Sequence, residues 1–155
     1  MREYSKPLPR GEDYNGEFYQ YCRQHELRFQ RCSACGTWRH MPRESCPVCR
    51  SFEWTWERSS GKGRVFSWTV VHRALHPGFT EDLPYATVII ELDEGVRMVS
   101  HVVALAPDAL QLDLPVEVVF DDVTPEVTLP KFRLIAEGDI DTAPAYYTTG
   151  QRGPK

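Results

Sequence analysis

The chain has 155 residues, a formal net charge of −4, an apolar fraction of 41% and an aromatic fraction of 12%. These values are typical of a folded protein that forms one ordinary domain, or a small metal-binding module with a small barrel. No stretch approaches the roughly 20 apolar residues that a membrane helix needs, and the first residues lack the apolar segment of a signal peptide. We therefore expect a cytoplasmic protein without a membrane-spanning segment.

The charge is divided unevenly along the chain. Residues 1–64 carry 12 Lys and Arg against 8 Asp and Glu, a net +4, whereas residues 65–155 carry 6 against 14, a net −8. Arginine supplies most of the positive charge around the cysteines: Arg28, Arg31, Arg39, Arg43, Arg50, Arg58 and Arg64. Two interpretations stay open, an ordinary solvated surface or a module that faces anions, because arginine suits phosphate recognition.

For residues 1–26 the sequence predicts an extended arm, because the first part is rich in Pro and Gly, followed by a helix. Asp13 is expected to cap this helix, which should run to the end of the segment. Phe18 and Cys22 lie four residues apart and give the helix a modest apolar stripe. The stripe predicts docking onto the rest of the protein, or alternatively a face for a partner. Cys22 has no neighbouring cysteine and is expected to be a small buried apolar residue.

Residues 27–60 contain four of the five cysteines, arranged as two Cys-x-x-Cys pairs: Cys32, Cys35, Cys46 and Cys49. Each pair can present two thiolates from one tight turn, and four thiolates complete a tetrahedral shell around one ion. Gly36 follows the first pair directly and suits the positive φ that such a turn needs. His40 lies between the pairs and is a weaker candidate ligand.

The cysteine spacing leaves two alternatives to a metal site. Disulfides need an oxidising compartment, which nothing in the sequence indicates. A thioredoxin-like redox pair needs a βαβ unit, and no such pattern is present. We therefore expect a structural Zn²⁺ site, closed by four cysteines with no open position for water, although the same thiolates could hold iron.

Three short strands should surround this site. They are predicted over 27–31, 37–41 and 52–58, the last from its alternation of aromatic and polar residues. Some thirty residues cannot bury enough surface to fold alone, so the ion should supply much of the folding free energy. The pattern predicts a rubredoxin-like zinc ribbon.

Residues 59–63 predict a flexible hinge, and residues 61–137 predict a β domain. Its strands are predicted over 65–72, 85–92, 96–105, 115–121 and 132–136. A short helical turn opened by Pro107 should lie between the third and fourth strands. This order is that of a five-stranded OB-fold barrel. Residues 138–155 predict a polar tail, and the fold class is mainly β.

The sequence contains no constellation that demands catalysis. We find no glycine-rich phosphate loop and no Ser nucleophile elbow. His72 and His76 flank a predicted strand end, so a hydrolase or transferase is the least favoured hypothesis. We expect no catalytic residues, and no residue is assigned to a cofactor other than the metal.

Single-stranded nucleic-acid binding is an alternative function, because zinc ribbons and OB folds both occur in that role. Trp68 and Phe66 could supply a stacking platform. The charge of −8 over residues 65–155 argues against it, since phosphate contacts dominate affinity for nucleic acid. Trp68 is also expected in the barrel core.

Short motifs along the chain resemble those of one family. In the ribbon they are Gln30-Arg31-Cys32, Cys35-Gly36, Pro42-Arg43 and Cys46-Pro47-x-Cys49. Beyond it they are Gly61-x-Gly63-x-Val65, Ser67 to His72, Pro77-Gly78-Phe79, Pro84-Tyr85, Glu91 to Gly95 and Leu129 to Phe132. Over about residues 13–136 the chain resembles the acyl-CoA-associated family of zinc-ribbon and OB-fold proteins, known as domain of unknown function 35.

This resemblance implies a non-catalytic accessory subunit. Members of the family accompany thiolase-like enzymes, including acetyl-CoA acetyltransferases and steroid side-chain aldolases, and form hetero-oligomers with them. In some complexes the small subunit helps to shape the acyl-CoA site or bridges two enzymes, and in other proteins it is fused to a hot-dog hydratase domain. For this chain we expect a stand-alone subunit, with acyl-CoA at the interface. The partner and the acyl substrate stay open.

Overall fold

The computed structural model describes residues 4–135, and the expected tail over 138–155 lies outside them. Within the described range, no helix is long and apolar enough to cross a membrane. The chain forms a helix, then a three-stranded sheet, then a curled five-stranded sheet. The mainly β fold expected from the sequence is therefore confirmed.

Helix α1 (Asp13–Arg23) docks onto the rest of the protein, with the side chains of Phe18 and Cys22 buried. The predicted cap is wrong, because Glu12 holds the N-cap position and no side chain caps the helix. The helix also ends three residues early. His25 has φ 56°, and the Glu26 N–H donates to the carbonyl of Tyr21 at 3.0 Å. This is a Schellman-type C-terminus with His where Gly is usual.

The ribbon contains three antiparallel strands in the order β2-β1-β3. They are β1 (Arg28–Cys32), β2 (Trp38–Arg39) and β3 (Trp54–Arg58). Gln30 on the central strand lies opposite Arg39 on one side and Trp56 on the other. The strand predicted over 37–41 is thus only two residues long, because the chain turns away at once towards the second cysteine pair.

The second sheet has the order β6-β5-β4-β7-β8. Its strands are β4 (Lys62–Val71), β5 (Tyr85–Leu92), β6 (Arg97–Ser100), β7 (Pro115–Asp122) and β8 (Thr128–Leu134). Short 3-10 helices cover Pro77–Asp82 and, between β6 and β7 as expected, Pro107–Ala109. A parallel bridge between Val102 and Phe132 joins the two edges, so the sheet closes into an OB-like barrel.

The predicted strand ends differ from the observed ones in two instructive places. The third strand of the barrel was predicted to extend over 96–105, but β6 ends at Ser100 and only Val102 continues the pairing. The last strand was predicted from residue 132, but β8 begins at Thr128 and contains Pro130. A proline fits there because β8 is an edge strand, where a missing N–H breaks no ladder hydrogen bond.

The predicted flexible hinge over 59–63 is wrong, because this segment is a packed joint. Ser59 and Gly61 are buried. The Ser59 N–H donates to the Leu27 carbonyl at 2.8 Å, and the Gly61 carbonyl accepts from the Val118 N–H at 2.7 Å. The Glu94 carboxylate accepts from both the Ser59 hydroxyl and the next amide. Ribbon and barrel are therefore held in a fixed relation.

One hydrophobic core runs through all three parts of the molecule. Phe18 of α1, Phe29 of β1 and Phe132 of β8 belong to the same cluster of buried residues. The barrel contributes Val65, Val88 and Ile90 to it, among others. Because the core is shared, the ribbon buries apolar surface against the helix and the barrel.

Candidate metal centre and surrounding surfaces

The fold brings the four predicted cysteine ligands together. The sulfur atoms of Cys32, Cys35, Cys46 and Cys49 all lie within 4.8 Å of one another. The Cys32–Cys49 pair is separated by 3.5 Å and the Cys35–Cys46 pair by 3.6 Å. With metal–sulfur bonds of about 2.3 Å, sulfur atoms at the corners of a tetrahedron lie about 3.8 Å apart. The sulfurs therefore fit one tetrahedral ion, and all are free thiols rather than disulfides.

Both cysteine pairs sit in turns of the same geometry. In each turn the residue after the second cysteine donates its N–H to the carbonyl of the first, at 2.9 Å for Gly36 to Cys32 and for Arg50 to Cys46. That residue has a positive φ in both turns, 74° at Gly36 and 62° at Arg50. The sequence indicated the first position through its glycine. It gave no signal for the second, where arginine takes a backbone conformation that favours glycine.

The turns also stabilise thiolates. Backbone N–H groups of Cys49 and Val48 lower the pKa of Cys46 to about 6, and the Thr37 hydroxyl lowers the pKa of Cys35. At Cys49 the Ser51 N–H lowers the pKa, but contacts with the other thiols, Cys35 foremost, and burial outweigh it and raise the pKa to about 12. A bound cation would hold all four groups as thiolates, since metal ligands must be deprotonated.

His40 takes no part in the cysteine cluster. Its ring lies between Phe18 and Phe29, with centroid distances of 5.1 and 5.4 Å. Burial lowers the pKa of His40 to about 4, so the side chain is neutral near pH 7. His40 is therefore a half-buried residue packed between aromatic rings, and the group of side chains that could hold a metal ion consists of the four cysteines without it.

Two buried polar side chains hold the loop that leads to the second cysteine pair. Oε1 of Gln30 accepts hydrogen bonds from Arg39 Nε at 2.7 Å and from the Arg43 N–H at 2.9 Å. Arg39 also donates to the Arg43 carbonyl at 3.0 Å. Both backbone groups of Arg43 are thus fixed from inside the ribbon, and its own side chain remains exposed.

The structure sorts the arginines near the cysteines in sequence into three groups. Arg28, Arg58 and Arg64 form ion pairs with carboxylates, and Arg39 is buried. The third group is exposed and, within the described part of the chain, has no carboxylate partner: Arg31, Arg43 and Arg50. Both interpretations of the charge stay open, and an anion-facing surface would have to use this third group.

Among the described residues, no side-chain hydrogen bond joins His72 or His76 to an acidic or nucleophilic side chain. His72 and His76 are exposed, and Nδ1 of His76 accepts the Gly78 N–H at 3.1 Å, which caps a 3-10 helix. A role of this kind is structural.

Sequence reasoning missed a histidine–carboxylate pair at the end of α1. His25 Nε2 lies 3.0 Å from Asp122, and the Thr128 hydroxyl donates to the same carboxylate at 2.6 Å. These two interactions, the hydroxyl first, lower the pKa of Asp122. A catalytic triad would place the hydroxyl against the imidazole, whereas here it bonds the carboxylate and is not activated. The pair therefore ties the end of the helix to the barrel.

Trp68 and Phe66, considered above as a platform for nucleic-acid bases, both contact other parts of the protein. Trp68 is half-buried and packs against the core, as expected. The Arg97 guanidinium lies 3.6 Å from the centroid of the Phe66 ring and covers it.

Two clefts border the residues where β6 and β8 meet, and no sequence motif predicts them. The larger, about 600 Å³, is bounded by the N-terminal arm at Tyr4 and Lys6 and by the barrel. The smaller, about 410 Å³, lies where helix, ribbon and barrel meet. Both are assembled from segments far apart in the chain, which is why no local motif predicts them.

A four-cysteine ribbon joined to an OB-like barrel defines the class of zinc-ribbon and OB-fold proteins. Two family models match the chain: the rubredoxin-like zinc ribbon domain of ChsH2 over residues 20–55, and the C-terminal OB-fold domain of ChsH2 over residues 56–121.

Known proteins agree with this class. A DUF35 domain-containing scaffold protein from Methanothermobacter thermautotrophicus is 35% identical over 104 residues, covering 66% of this chain and 77% of the relative. A solved structure described as Ltp2-ChsH2(DUF35) aldolase is 38% identical with a TM-score of 0.72, covering 83% of this chain and 98% of that one. This chain therefore belongs to the DUF35 family, and the resemblance seen in its motifs is confirmed.

A third relative has a different name and is much longer. A probable enoyl-CoA hydratase alpha subunit from Thermomonospora curvata is 39% identical over 128 residues, covering 83% of this chain. The chain spans only 40% of the length of that relative. The similarity thus concerns one part of the longer protein, whose name is that of an acyl-CoA enzyme subunit.

Proposed function

We propose that this chain is a non-catalytic accessory subunit that binds a thiolase-like enzyme, either an acetyl-CoA acetyltransferase or an acyl-CoA aldolase, and helps to form its acyl-CoA site. The observation that carries the proposal is the match to the DUF35 chain of the Ltp2-ChsH2 aldolase structure, 98% of which this chain covers at 38% identity. The hydratase name of the longer relative supports acyl-CoA chemistry in general.

The geometry of the metal centre supports a role without catalysis. Four cysteine ligands would fill a tetrahedral shell, so a bound ion would have no open position for water or substrate. We further propose that Cys32, Cys35, Cys46 and Cys49 hold Zn²⁺ as a structural ion. Elemental analysis of the purified protein tests the ion, and visible absorbance from a red protein would indicate iron instead.

The exposed end of the ribbon is the surface that best suits an enzyme–coenzyme interface. Val48 lies between the two cysteines of the second pair and Phe52 follows the pair, and they are 70% and 67% exposed. Arg43 and Arg50 lie beside them in the chain, exposed and without carboxylate partners in the described residues. Apolar side chains next to free guanidinium groups can contact both a protein surface and the phosphates of coenzyme A, through charge-assisted hydrogen bonds.

The test begins with recovery of the partner. A tagged chain expressed in its native host should co-purify with a thiolase-like enzyme, and the two purified proteins should reassociate. Acyl-CoA turnover should need the enzyme and rise when the chain is added. Turnover by the chain alone would contradict the proposal, as would failure to recover any such enzyme.

A matched set of variants then tests the ribbon surface. Replacing Arg43 and Arg50 together by Ala should raise the KM for acyl-CoA about tenfold, because charge-assisted hydrogen bonds are lost. Arg73→Ala, an exposed arginine on the barrel, is the control and should leave the KM unchanged. Equal effects of both changes would argue against a coenzyme contact at the ribbon.

A further inference from the structure

The outer edge of β6 has backbone groups that the fold does not use. In the hairpin formed by β5 and β6, the Leu92 N–H donates to the Val96 carbonyl at 2.8 Å. Residues of an antiparallel strand alternate in direction, so Met98 and Ser100 bond to β5, while Arg97 and Val99 direct their N–H and C=O groups away from it. Within residues 4–135 these outward groups have no partner.

Further along the same edge, the outward groups are paired. The His101 carbonyl accepts from the Phe132 N–H at 2.9 Å, and the Val103 N–H donates to the Phe132 carbonyl at 2.7 Å. This pairing with β8 stops at Pro130, which has no N–H to donate and whose carbonyl accepts the Ser100 hydroxyl. The edge therefore remains open over Arg97–Val99, about 10 Å of strand.

The open edge lies in the smaller cleft. One wall is β6 with the start of β8, and the other is formed by α1 and the ribbon at Phe18, Tyr19, His40 and Met41. Val99 is 64% exposed and Met41 is 54% exposed, so the cleft has apolar surface on both sides. Exposed strand edges of this kind are sites for an added strand.

The charges at the cleft favour an acidic residue in the added strand. Arg97 and Lys131 line the cleft, and no Asp or Glu side chain does. Arg97 donates through Nε to Glu91, and Lys131 pairs with Asp121, so each retains further N–H donors.

We infer that the β6 edge at Arg97–Val99 binds an extended segment of the partner enzyme as an added strand. The inference rests on the proposed function for the identity of the partner. The segment carries an apolar side chain that enters the cleft between Val99 and Met41, and a carboxylate that meets Arg97 or Lys131. A single added strand would lie about 4.8 Å from β6, on the side of the edge that faces the opposite wall of the cleft. The β6 edge of a second copy would bring its own helix and ribbon against that wall.

Hydrogen exchange on the chain and on its complex with the recovered thiolase-like enzyme tests this inference. In the free chain, the amides of Arg97 and Val99 should exchange much faster than those of Met98 and Ser100. The complex should slow the exchange of Arg97 and Val99 at least tenfold. A complex that leaves these two amides unprotected overturns the inference and leaves the proposed function standing. If no complex forms at all, both fail.

Two variants give an independent measurement. Val99→Pro removes an outward N–H while sparing the ladder to β5, and it should weaken the complex about tenfold. Val99→Thr keeps the N–H and should change the Kd less than about twofold. Circular dichroism and metal content confirm that each variant is folded. Equal Kd values for the two variants would contradict the inference, as would protection of the edge by self-association of the free chain.

Discussion

Arg39 donates a hydrogen bond of 2.7 Å from Nε to Oε1 of Gln30, and both side chains are buried in the ribbon. Among residues 4–135, the pair leaves two buried nitrogen atoms, Arg39 Nη1 and Gln30 Nε2, without a hydrogen-bond partner. In compensation, Gln30 accepts a hydrogen bond from the Arg43 N–H and Arg39 donates one to the Arg43 carbonyl. Arg43 lies in the loop that leads to the second cysteine pair. A polar pair buried beside the metal centre therefore fixes the geometry of the loop.

Gln30→Leu should destabilise the protein strongly. The substitution leaves Arg39 Nε and the Arg43 N–H buried without their acceptor, at a cost of roughly 3 kcal/mol. Urea unfolding at a fixed zinc concentration measures this loss.

The double variant Gln30→Leu with Arg39→Met provides the control for that measurement. It removes the buried charge as well as its partner, so it should be about 1 kcal/mol more stable than Gln30→Leu alone. A double variant whose loss of stability equals the sum of the losses in Gln30→Leu and in Arg39→Met, each measured alone, would show that the two side chains are not coupled.

Both cysteine turns should be more stable with glycine at the residue after the second cysteine. Gly36→Ala places a Cβ in open space, with Arg31 Nη2 at 3.9 Å its nearest neighbour. Its cost of about 1–2 kcal/mol therefore reports the positive φ alone. Arg50→Gly should stabilise the protein by up to about 1 kcal/mol, since arginine holds the same conformation there. Thermal unfolding with metal bound checks both values, and a destabilised Arg50→Gly would contradict the account.

The sequence predicts local features of this fold well. The Cys-x-x-Cys pairs, Gly36 and the strand over 85–92 all depend on neighbouring residues, and each was found where expected. The docking of α1 through Phe18 and Cys22 also followed from a simple four-residue spacing.

Features that depend on distant contacts could not be predicted. Gln30 and Arg39 look like ordinary polar residues of short strands, and only the folded loop at Arg43 explains their burial. Residues 59–63 have the composition of a hinge, but Glu94, some 35 positions later, holds them in place. The cleft beside β6 likewise needs Phe18, Met41 and Val99 together.

His40 should make the stability of the protein depend on pH. Its pKa is lowered by burial from 6.5 to about 4. Between these values the unfolded chain binds a proton that the folded chain does not, so stability is full above pH 6.5 and falls as the pH drops towards 4. The total is roughly 3 kcal/mol at most.

Urea unfolding at several pH values within this window measures the effect. His40→Gln has no group that titrates there, so it should lose less stability than the unaltered protein as the pH falls. Metal content is measured at each pH, because protonation of the cysteines also weakens metal binding. Identical pH dependence in the two proteins would show that His40 does not titrate as described.

The central claim is that the four-cysteine centre is a structural brace on which partner binding depends. The most direct test compares Cys46→Ser with Cys22→Ser, measuring bound zinc and complex formation with the thiolase-like enzyme in the same samples. Cys22 is buried in the core outside the metal site, so Cys22→Ser should keep both the zinc and the complex. Cys46→Ser should lose the zinc, unfold the ribbon and fail to bind the enzyme. If Cys46→Ser retained zinc and the complex at the level of Cys22→Ser, the claim would be contradicted.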